Sequence, residues 1–345
     1  MWGIIRASWG TVAPRNRAAV GSKGTRSSTS FIKEPDWDVF INIPSRNGVV
    51  QGQAIATMKP KWLRIRGGTG EGFAKVKVSL KALDIVTVCE EAHCPNIPEC
   101  WSSGTATFMV LGDICARGCR FCSVRKAARG RPLDPLEPLR IAKVVAEWGL
   151  DYAVITSVAR DDLPDQGARH FAECVRAVKR LSPKTIIEVL TPDFRGDEEC
   201  VRKVVEAGPE VYAHNIETTE PLQAKVRDRR ANYWQSIGVL KAAKRLNPKI
   251  YTKSSIMLGL GELEEDVTRA MDDLRAAGVD IITFGQYLRP SPKHIEVAEY
   301  VPPERFEHYR KIAEAKGFLC VASGPFVRSS YRAGELFVKN ILRRD

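Results

Sequence analysis

Six of the nine cysteines fall between positions 89 and 122. They form two triplets, Cys89-x4-Cys94-x5-Cys100 and Cys115-x3-Cys119-x2-Cys122. A structural zinc site or an ordinary four-iron cluster is closed by four ligands. Three thiolates leave one metal position for a serine, a histidine or a small molecule. In the second triplet, three thiolates from one short loop can hold three irons of a [4Fe–4S] cluster and leave the fourth open. Gly112 and Gly118 are expected to give that loop the freedom to wrap. A zinc loop or a disulfide pair would also use cysteines, but no fourth Cys or His lies near the second triplet. His93 stands between ligands of the first, at a spacing that does not replace a cysteine. Cys174, Cys200 and Cys320 read as buried free thiols.

The rest of the chain must position these loops. Apolar runs at 107–111, 152–158, 185–190, 211–216, 250–258 and 281–284 read as strands. Helical spacing joins Leu139, Ala142, Val145 and Trp148, and again Phe171, Cys174, Val178 and Leu181. Further helices are expected at 201–205, stopping near Gly208, at 233–246, and through Leu263, Val267, Met271 and Leu274 to Gly278. Six β–α units without a repeated motif imply an α/β fold with a parallel sheet and right-handed crossovers. A partial TIM-like (β/α)6 barrel is expected, with N- and C-terminal extensions covering its open end. The second triplet then follows the first parallel strand, on the face where barrels carry out catalysis.

The expected divisions are 1–33, 34–106, 107–318 and 319–345, the last with a short strand at 319–322 and a basic helical tail. The chain carries 53 Lys and Arg against 41 Asp and Glu. Six of those cations lie in residues 1–33, where there is no acid, so the remainder holds 47 against 41. The charge therefore suits an address segment and an acidic protein partner better than nucleic acid. Residues 1–33 have the composition of an organellar transit peptide, or of a disordered basic tail. An odd cysteine count argues against a secreted disulfide framework, and no run is long and apolar enough for a membrane span. Lys59-Pro-Lys-Trp-Leu-Arg-Ile-Arg66 reads as a solvated arm or a docking element.

The Cys-x3-Cys-x2-Cys pattern resembles the radical S-adenosylmethionine (AdoMet) superfamily. The first triplet narrows this, because Cys89-Glu-Glu-Ala-His-Cys-Pro-Asn-Ile-Pro-Glu-Cys100 resembles the auxiliary-cluster motif of the lipoyl synthase family. Leu111-Gly-Asp-Ile-Cys-Ala-Arg-Gly-Cys-Arg-Phe-Cys122, Thr191-Pro-Asp-Phe-Arg-Gly-Asp197 and His214-Asn-Ile-Glu-Thr218 are similar as well. So are Met257-Leu-Gly-Leu-Gly-Glu262 and Arg328-Ser-Ser-Tyr331. The resemblance runs from about Lys59 to the C-terminus. Ala159, Pro98, Ile114 and Ala116 depart from the family's usual residues, and Ala159 stands where an Asp is usual.

The resemblance implies insertion of two sulfurs, at C6 and C8 of an octanoyl chain amide-linked to a carrier lysine. Two AdoMet molecules are consumed, and the sulfur comes from an auxiliary cluster that is dismantled. Implied metal ligands are Cys115, Cys119 and Cys122 for the AdoMet [4Fe–4S] cluster. For the auxiliary [4Fe–4S] cluster they are Cys89, Cys94 and Cys100 with a serine, Ser330 in preference to Ser329. A hard serine oxygen is a poorer partner for iron than a thiolate, which suits a cluster that must come apart. Implied AdoMet contacts are Phe121, Asn215, Glu217 and Gly261. Glu262 is either a further contact or a helix N-terminal charge. Asp161, Asp162 and Asp165 read as loop caps, since radical hydrogen abstraction needs no general base. Implied partners are octanoylated carrier proteins (the glycine cleavage H protein and lipoyl domains of 2-oxoacid dehydrogenase E2 subunits), an electron donor such as ferredoxin, and an iron–sulfur carrier for re-supply. The implied location is the mitochondrion, with the plastid as alternative. A biotin synthase or methylthiotransferase relative, or a two-cluster electron carrier, would lack this combination of triplets and terminal Arg-Ser-Ser-Tyr.

Overall fold

The computed structural model describes residues 60–63, 78, 80, 85–91, 94, 96–102 and 107–330. The expectations for residues 1–33, for His93 and for Tyr331 lie outside them. The frame is one eight-stranded sheet whose spatial order is its chain order. The strands are β1 (Val86–Thr87), β2 (Thr107–Val110), β3 (Tyr152–Ser157), β4 (Ile186–Leu190), β5 (Val211–Ala213), β6 (Tyr251–Leu258), β7 (Ile281–Gln286) and β8 (Cys320–Gly324). β1 pairs antiparallel with β2, and every later pairing is parallel. The order starts at β1 and ends at β8, so the sheet curls without closing.

Six helices make the crossovers: α1 (Glu137–Trp148), α2 (Ala168–Leu181), α3 (Glu198–Val205), α4 (Tyr233–Leu246), α5 (Glu264–Ala276) and α6 (Pro303–Ala315). The expected six β–α units are all present. A seventh parallel strand, β8, follows them and pairs with β7, so residues 320–324 belong to the sheet and not to a separate tail. Helix α6 went unread in the sequence. Its polar residues form surface pairs and leave Phe306, Tyr309 and Ala313 as a sparse buried stripe.

Strand alternation sorts the interior. Ile155, Ile187, Val189, Ile256, Ile282 and Phe284 face outward and share the main core with Phe171, Val178, Leu240 and Met271 of the helices. Burying each such side chain contributes roughly 1.5–3 kcal/mol. The alternate residues Val211, Ile281 and Cys320, with Tyr152, Ile186 and Tyr251 against them, form a separate small cluster on the concave side. Above it lies a buried ion pair, Lys253 Nζ to both Glu188 oxygens at 2.9 and 2.8 Å, with Tyr152 Oη donating to Glu188 at 2.6 Å.

Some expected helix positions differ. Leu263 precedes α5 and is exposed, and Leu139 and Leu181 are exposed on α1 and α2. On α1 the buried face is Ile141, Ala142, Val144 and Val145. The expected strand at 211–216 stops at Ala213, and Glu217 then pairs alone with Ile256.

Candidate active site and cluster loops

The loop bearing the second triplet leaves β2 through a sharp reversal. Leu111 takes φ 70° and Gly112 φ 85°. A left-handed leucine costs free energy and persists only where its surroundings enforce it. Here its amide donates to Glu137 Oε2 at 3.0 Å, and its carbonyl accepts from buried Arg160 at 3.1 Å. Glu137 Oε2 also meets His170 Nε2 at 2.7 Å. Gly118 does not use left-handed freedom. Its amide donates to Asp228 at 2.7 Å.

Two buried ion pairs fix the base of the loop. Arg117, between Cys115 and Cys119, pairs with Asp161 at 2.9 Å and with Asp193 at 2.6 Å. Arg227 approaches Asp193 at 3.8 Å, and Arg230 lies 3.4 Å from Asp161 while also binding Asp228. Burial alone would raise the Asp193 pKa. The Arg117 guanidinium and its companions outweigh burial and hold the carboxyl below the usual range. Asp228 is held well below its ordinary value, chiefly by its hydrogen bond from Arg230. Arg230 Nη2 reaches back to the Ala116 carbonyl at 2.6 Å, and Ala116 donates its amide to Ala159.

Asp161 and Asp162 are therefore ion-paired and not loop caps, Asp162 with Arg160 at 2.9 Å. Asp165 does cap, accepting from the amides of Gly167 and Arg169 at the start of α2.

Cys115 Sγ accepts from the Arg117 amide and Cys119 Sγ from the Asp228 amide, each at 3.4 Å. Burial, with the nearby Cys119 and Cys115 thiols, pushes Cys122 up to about 12. His294 Nε2 lies 3.2 Å from the Cys122 carbonyl.

Around the loop, the strand ends present polar groups. Glu217 sits at φ 67°, its amide donating to Ser255 O and its carbonyl accepting from Met257. Asn215 Nδ2 donates to Glu217 Oε1 at 3.3 Å, while Asn215 Oδ1 is buried and has no hydrogen-bond partner among the described residues. Ser157 Oγ, Thr218 Oγ1 and Thr219 Oγ1 are in the same condition. Burying a polar group without a partner costs roughly 1–3 kcal/mol, so these atoms mark space that a polar ligand can fill. Phe121 packs beside Val226, Leu260, Tyr287 and Ile295. Gly261 holds φ 101°. Glu262 lies just before the start of α5. Its oxygens accept from the amides of Gly259 at 2.6 Å and Leu260 at 2.9 Å, and they brace their own turn.

His214 supports this region from below. Nδ1 lies 2.9 Å from the Thr191 carbonyl, and Nε2 lies 2.9 Å from Ser236 Oγ. Burial first, then the Arg227 charge, lowers its pKa to about 4. A carbonyl only accepts, so Nδ1 carries the proton and Nε2 accepts from Ser236. Ser236 Oγ in turn accepts from Arg227 at 2.7 Å.

The first triplet is built differently. Cys89 lies in a single helical turn, Val88–Glu91, and Cys100 in the short helix Ile97–Ser102. Cys94 joins them, donating its amide to Cys89 O at 2.9 Å and accepting from Ile97. Burial, then the Cys94 and Cys89 thiols, pushes Cys100 up to about 12. After β8, residues 325–330 return across the sheet to this loop. Asn96 Nδ2 donates to Phe326 O at 2.7 Å, and the Arg328 charge acts on Cys94. Thr107 Oγ1 donates to Ser330 Oγ at 2.9 Å. A Cβ at Gly285 would collide with the Val327 carbonyl, so β7 is glycine where the returning segment crosses it. Ser123 Oγ donates to the Glu91 carbonyl and ties the two cysteine loops together.

Cys174, Cys200 and Cys320 are buried, as expected. Both donor sets are soft sulfurs, the chemistry iron–sulfur clusters require, one set on a loop beside orphaned polar atoms and the other met by residues 325–330 through Asn96. Arg117, Asp193, Arg227, Arg230, His294 and Arg328 were not read from the sequence as site residues. Arg117, Asp193 and Arg328 had a signal, since each lies inside a quoted motif.

This curled parallel sheet with a three-cysteine loop after its first parallel strand defines a class, and residues 109–274 match the Radical SAM superfamily family model. Residues 29–94 match the N-terminal domain of lipoyl synthase of the Radical SAM family. Lipoyl synthase 1, chloroplastic, of Zea mays is 54% identical over 86% of this chain and 86% of its own length. Lipoyl synthase, mitochondrial, of Aedes aegypti is 54% identical over 92% of this chain and 82% of its own. The chloroplastic enzyme of Ricinus communis is 54% identical over 88% and 85%. The chain belongs to the lipoyl synthase family. It is a radical AdoMet enzyme that inserts sulfur, with [4Fe–4S] clusters and AdoMet as its cofactors.

Proposed function

We propose that the two triplets divide the reaction, with Cys115, Cys119 and Cys122 holding the AdoMet cluster and Cys89, Cys94, Cys100 and Ser330 holding the auxiliary one. When bound, the first supplies the electron that splits AdoMet and the second supplies the sulfur. Asn215 offers its unpartnered oxygen, and Glu217 its carboxylate from a left-handed backbone position, to polar groups of AdoMet. Phe121 and Gly261 are proposed to border the rest of that molecule. Arg117 and Asp193 hold the loop in place while it works.

The observation that carries this division is the return of residues 325–330 to the first triplet. Asn96 receives Phe326, Arg328 faces Cys94, and Ser330 stands at Thr107, whose strand follows the Cys100 helix. Deprotonated on ligation, Ser330 Oγ is the hydroxyl that completes the set. The substrate is an octanoyl-lysine on a carrier, either the glycine cleavage H protein or an E2 lipoyl domain. An iron–sulfur carrier renews the auxiliary cluster. The setting is an organelle, taken as the mitochondrion, and a reporter fused to residues 1–33 that enters plastids instead would correct it.

The test is turnover on an octanoyl-lysine peptide, read by mass spectrometry. Ser330→Ala should retain 5′-deoxyadenosine formation and lose lipoyl product. Ser330→Cys should give a more persistent cluster and slower sulfur release, since thiolate holds iron better than a hydroxyl oxygen. Lipoyl product at the wild-type rate from Ser330→Ala would remove Ser330 from the ligand set.

A further inference from the structure

The outer side of the second cysteine loop is unusually cationic. Residues 114–133 contain six Lys or Arg and no Asp or Glu. Arg117 is used internally, but Arg120, Arg125, Lys126, Arg129 and Arg131 are exposed. Arg125 and Arg131 share one acid, Asp113. A second loop adds to the same surface. The Arg120 amide donates to Val226 O at 2.9 Å and its guanidinium to Lys225 O at 3.3 Å, so exposed Lys225 and Arg229 stand beside it. A third loop brings exposed Lys293, adjacent to the histidine on the Cys122 carbonyl. Lys225, Arg229 and Lys293 make no ion pair among the described residues.

Surface cations are usually only a solvated face. Elsewhere on this molecule some are matched, as Arg310 by Glu307 and Glu314 and Arg202 by Glu198 and Glu199, and others such as Lys143, Arg176 and Lys241 stand singly among the described residues. This surface differs in that three loops bring cations together around a stretch, 114–133, that holds no acid. Over the cluster loop, cations from three loops meet, and Lys126 Nζ donates to the Cys119 carbonyl at 2.9 Å. Electron transfer through protein weakens steeply with distance, so a donor must dock where the ligands approach the surface. Cys119 and Cys122 are partly exposed there, and Gly118 and Arg120 on either side of Cys119 are exposed.

We propose that Arg120, Lys225, Arg229 and Lys293 form the docking face for a small acidic one-electron carrier protein. One electron leaves the reduced carrier and enters the cluster held by Cys115, Cys119 and Cys122. The carrier is oxidised by one electron, the cluster is reduced by one, and no bond or proton changes hands. This rests on the ligand assignment above. Such an interface is small, polar and steered by charge, so salt weakens it.

The test compares the reconstituted enzyme with a Lys225→Glu/Arg229→Glu/Lys293→Glu variant, using a strongly acidic [2Fe–2S] ferredoxin as the probe. Calorimetric affinity for the ferredoxin should fall about tenfold or more in the variant, and wild-type affinity should fall with added salt. Ferredoxin-driven AdoMet cleavage should fall in parallel, while dithionite-driven cleavage stays at the wild-type rate. Unchanged ferredoxin affinity overturns the proposal, and so does an equal loss with dithionite. If instead KM rises for an octanoylated carrier protein while ferredoxin affinity holds, the face serves the substrate and the proposal fails. A wild-type enzyme that cannot cleave AdoMet with dithionite would point to the ligand assignment as the error.

Discussion

The two cysteine loops hold the same number of thiols but are supported in different ways. The second is fixed from beneath by buried charge: Arg117 between Asp161 and Asp193, with Arg227 and Arg230 behind. Its anchors lie at the C-terminal ends of β3 and β4 and around the start of α4, inside the sheet–helix body. The first has two short helices and borrows its closure from residues 325–330 through neutral hydrogen bonds. Buried ion pairs resist removal of one partner far more than single hydrogen bonds do. A site used unchanged in every cycle suits the first kind of support. A cluster that is dismantled and rebuilt suits a cover that can lift.

The largest effects should separate the loops chemically. Cys119→Ala should abolish 5′-deoxyadenosine formation. Cys94→Ala should keep it measurable while lipoyl product disappears. Equal loss of AdoMet cleavage in both folded variants would end the division of labour.

Next comes stability. Asp193→Ala leaves Arg117 and Arg227 facing each other without their shared acid, and should cost about 3–5 kcal/mol. Urea unfolding of the cluster-free protein measures this. A cost as small as that of one surface pair, below about 1 kcal/mol, would mean the charge beneath the loop does not fix it.

Gly285→Ala tests the other loop at a smaller cost. The added methyl displaces the Val327 carbonyl, and overpacking of this kind costs about 1–3 kcal/mol. Residues 325–330 should move off the first triplet, so lipoyl product falls and AdoMet cleavage continues. Unchanged lipoyl product would show that this crossing does not matter to sulfur insertion.

The sequence disclosed the repeating frame and both cysteine sets because periodic burial and ligand spacing are local signals. Helix 233–246 is legible from its spacing alone and is capped by Asn232, which accepts from the Gln235 amide. Arg117 and Asp193 were not legible as partners. They are 76 positions apart in the chain, and only the curl of the sheet joins them. Lys253 and Glu188 hide for the same reason, each a single charge inside an apolar strand. Leu111 looked like the end of a strand because nothing in its type announces a left-handed turn. Glu137, Arg160 and the strand's exit impose it. Glu262 was ambiguous because a carboxylate after Gly-Leu-Gly serves a ligand or a helix N-terminus equally well, and its bonds from the amides of Gly259 and Leu260 were a third role that spacing does not announce.

The smallest effect is a pH dependence that should belong to one loop and not the other. His214 ties Thr191, two residues before Asp193, to Ser236 and Arg227 beneath the second triplet. Its folded pKa is depressed from 6.5 to about 4. The folded protein therefore resists protonation that the unfolded chain accepts. Stability from this group is complete above the unfolded value of 6.5 and is lost as pH falls toward 4. At pH 6 the loss is about 1 kcal/mol. His214→Asn has no proton to gain, so its stability should start lower at pH 8 and fall less between pH 8 and pH 6. The contacts that close the first triplet, Asn96 to Phe326 and Thr107 to Ser330, use no group that titrates in this range. Urea midpoints for wild type, His214→Asn and Gly285→Ala at the two pH values measure the difference. Gly285→Ala should keep the wild-type slope while His214→Asn flattens it. Parallel slopes for wild type and His214→Asn would mean that the support beneath the second triplet does not depend on a neutral His214.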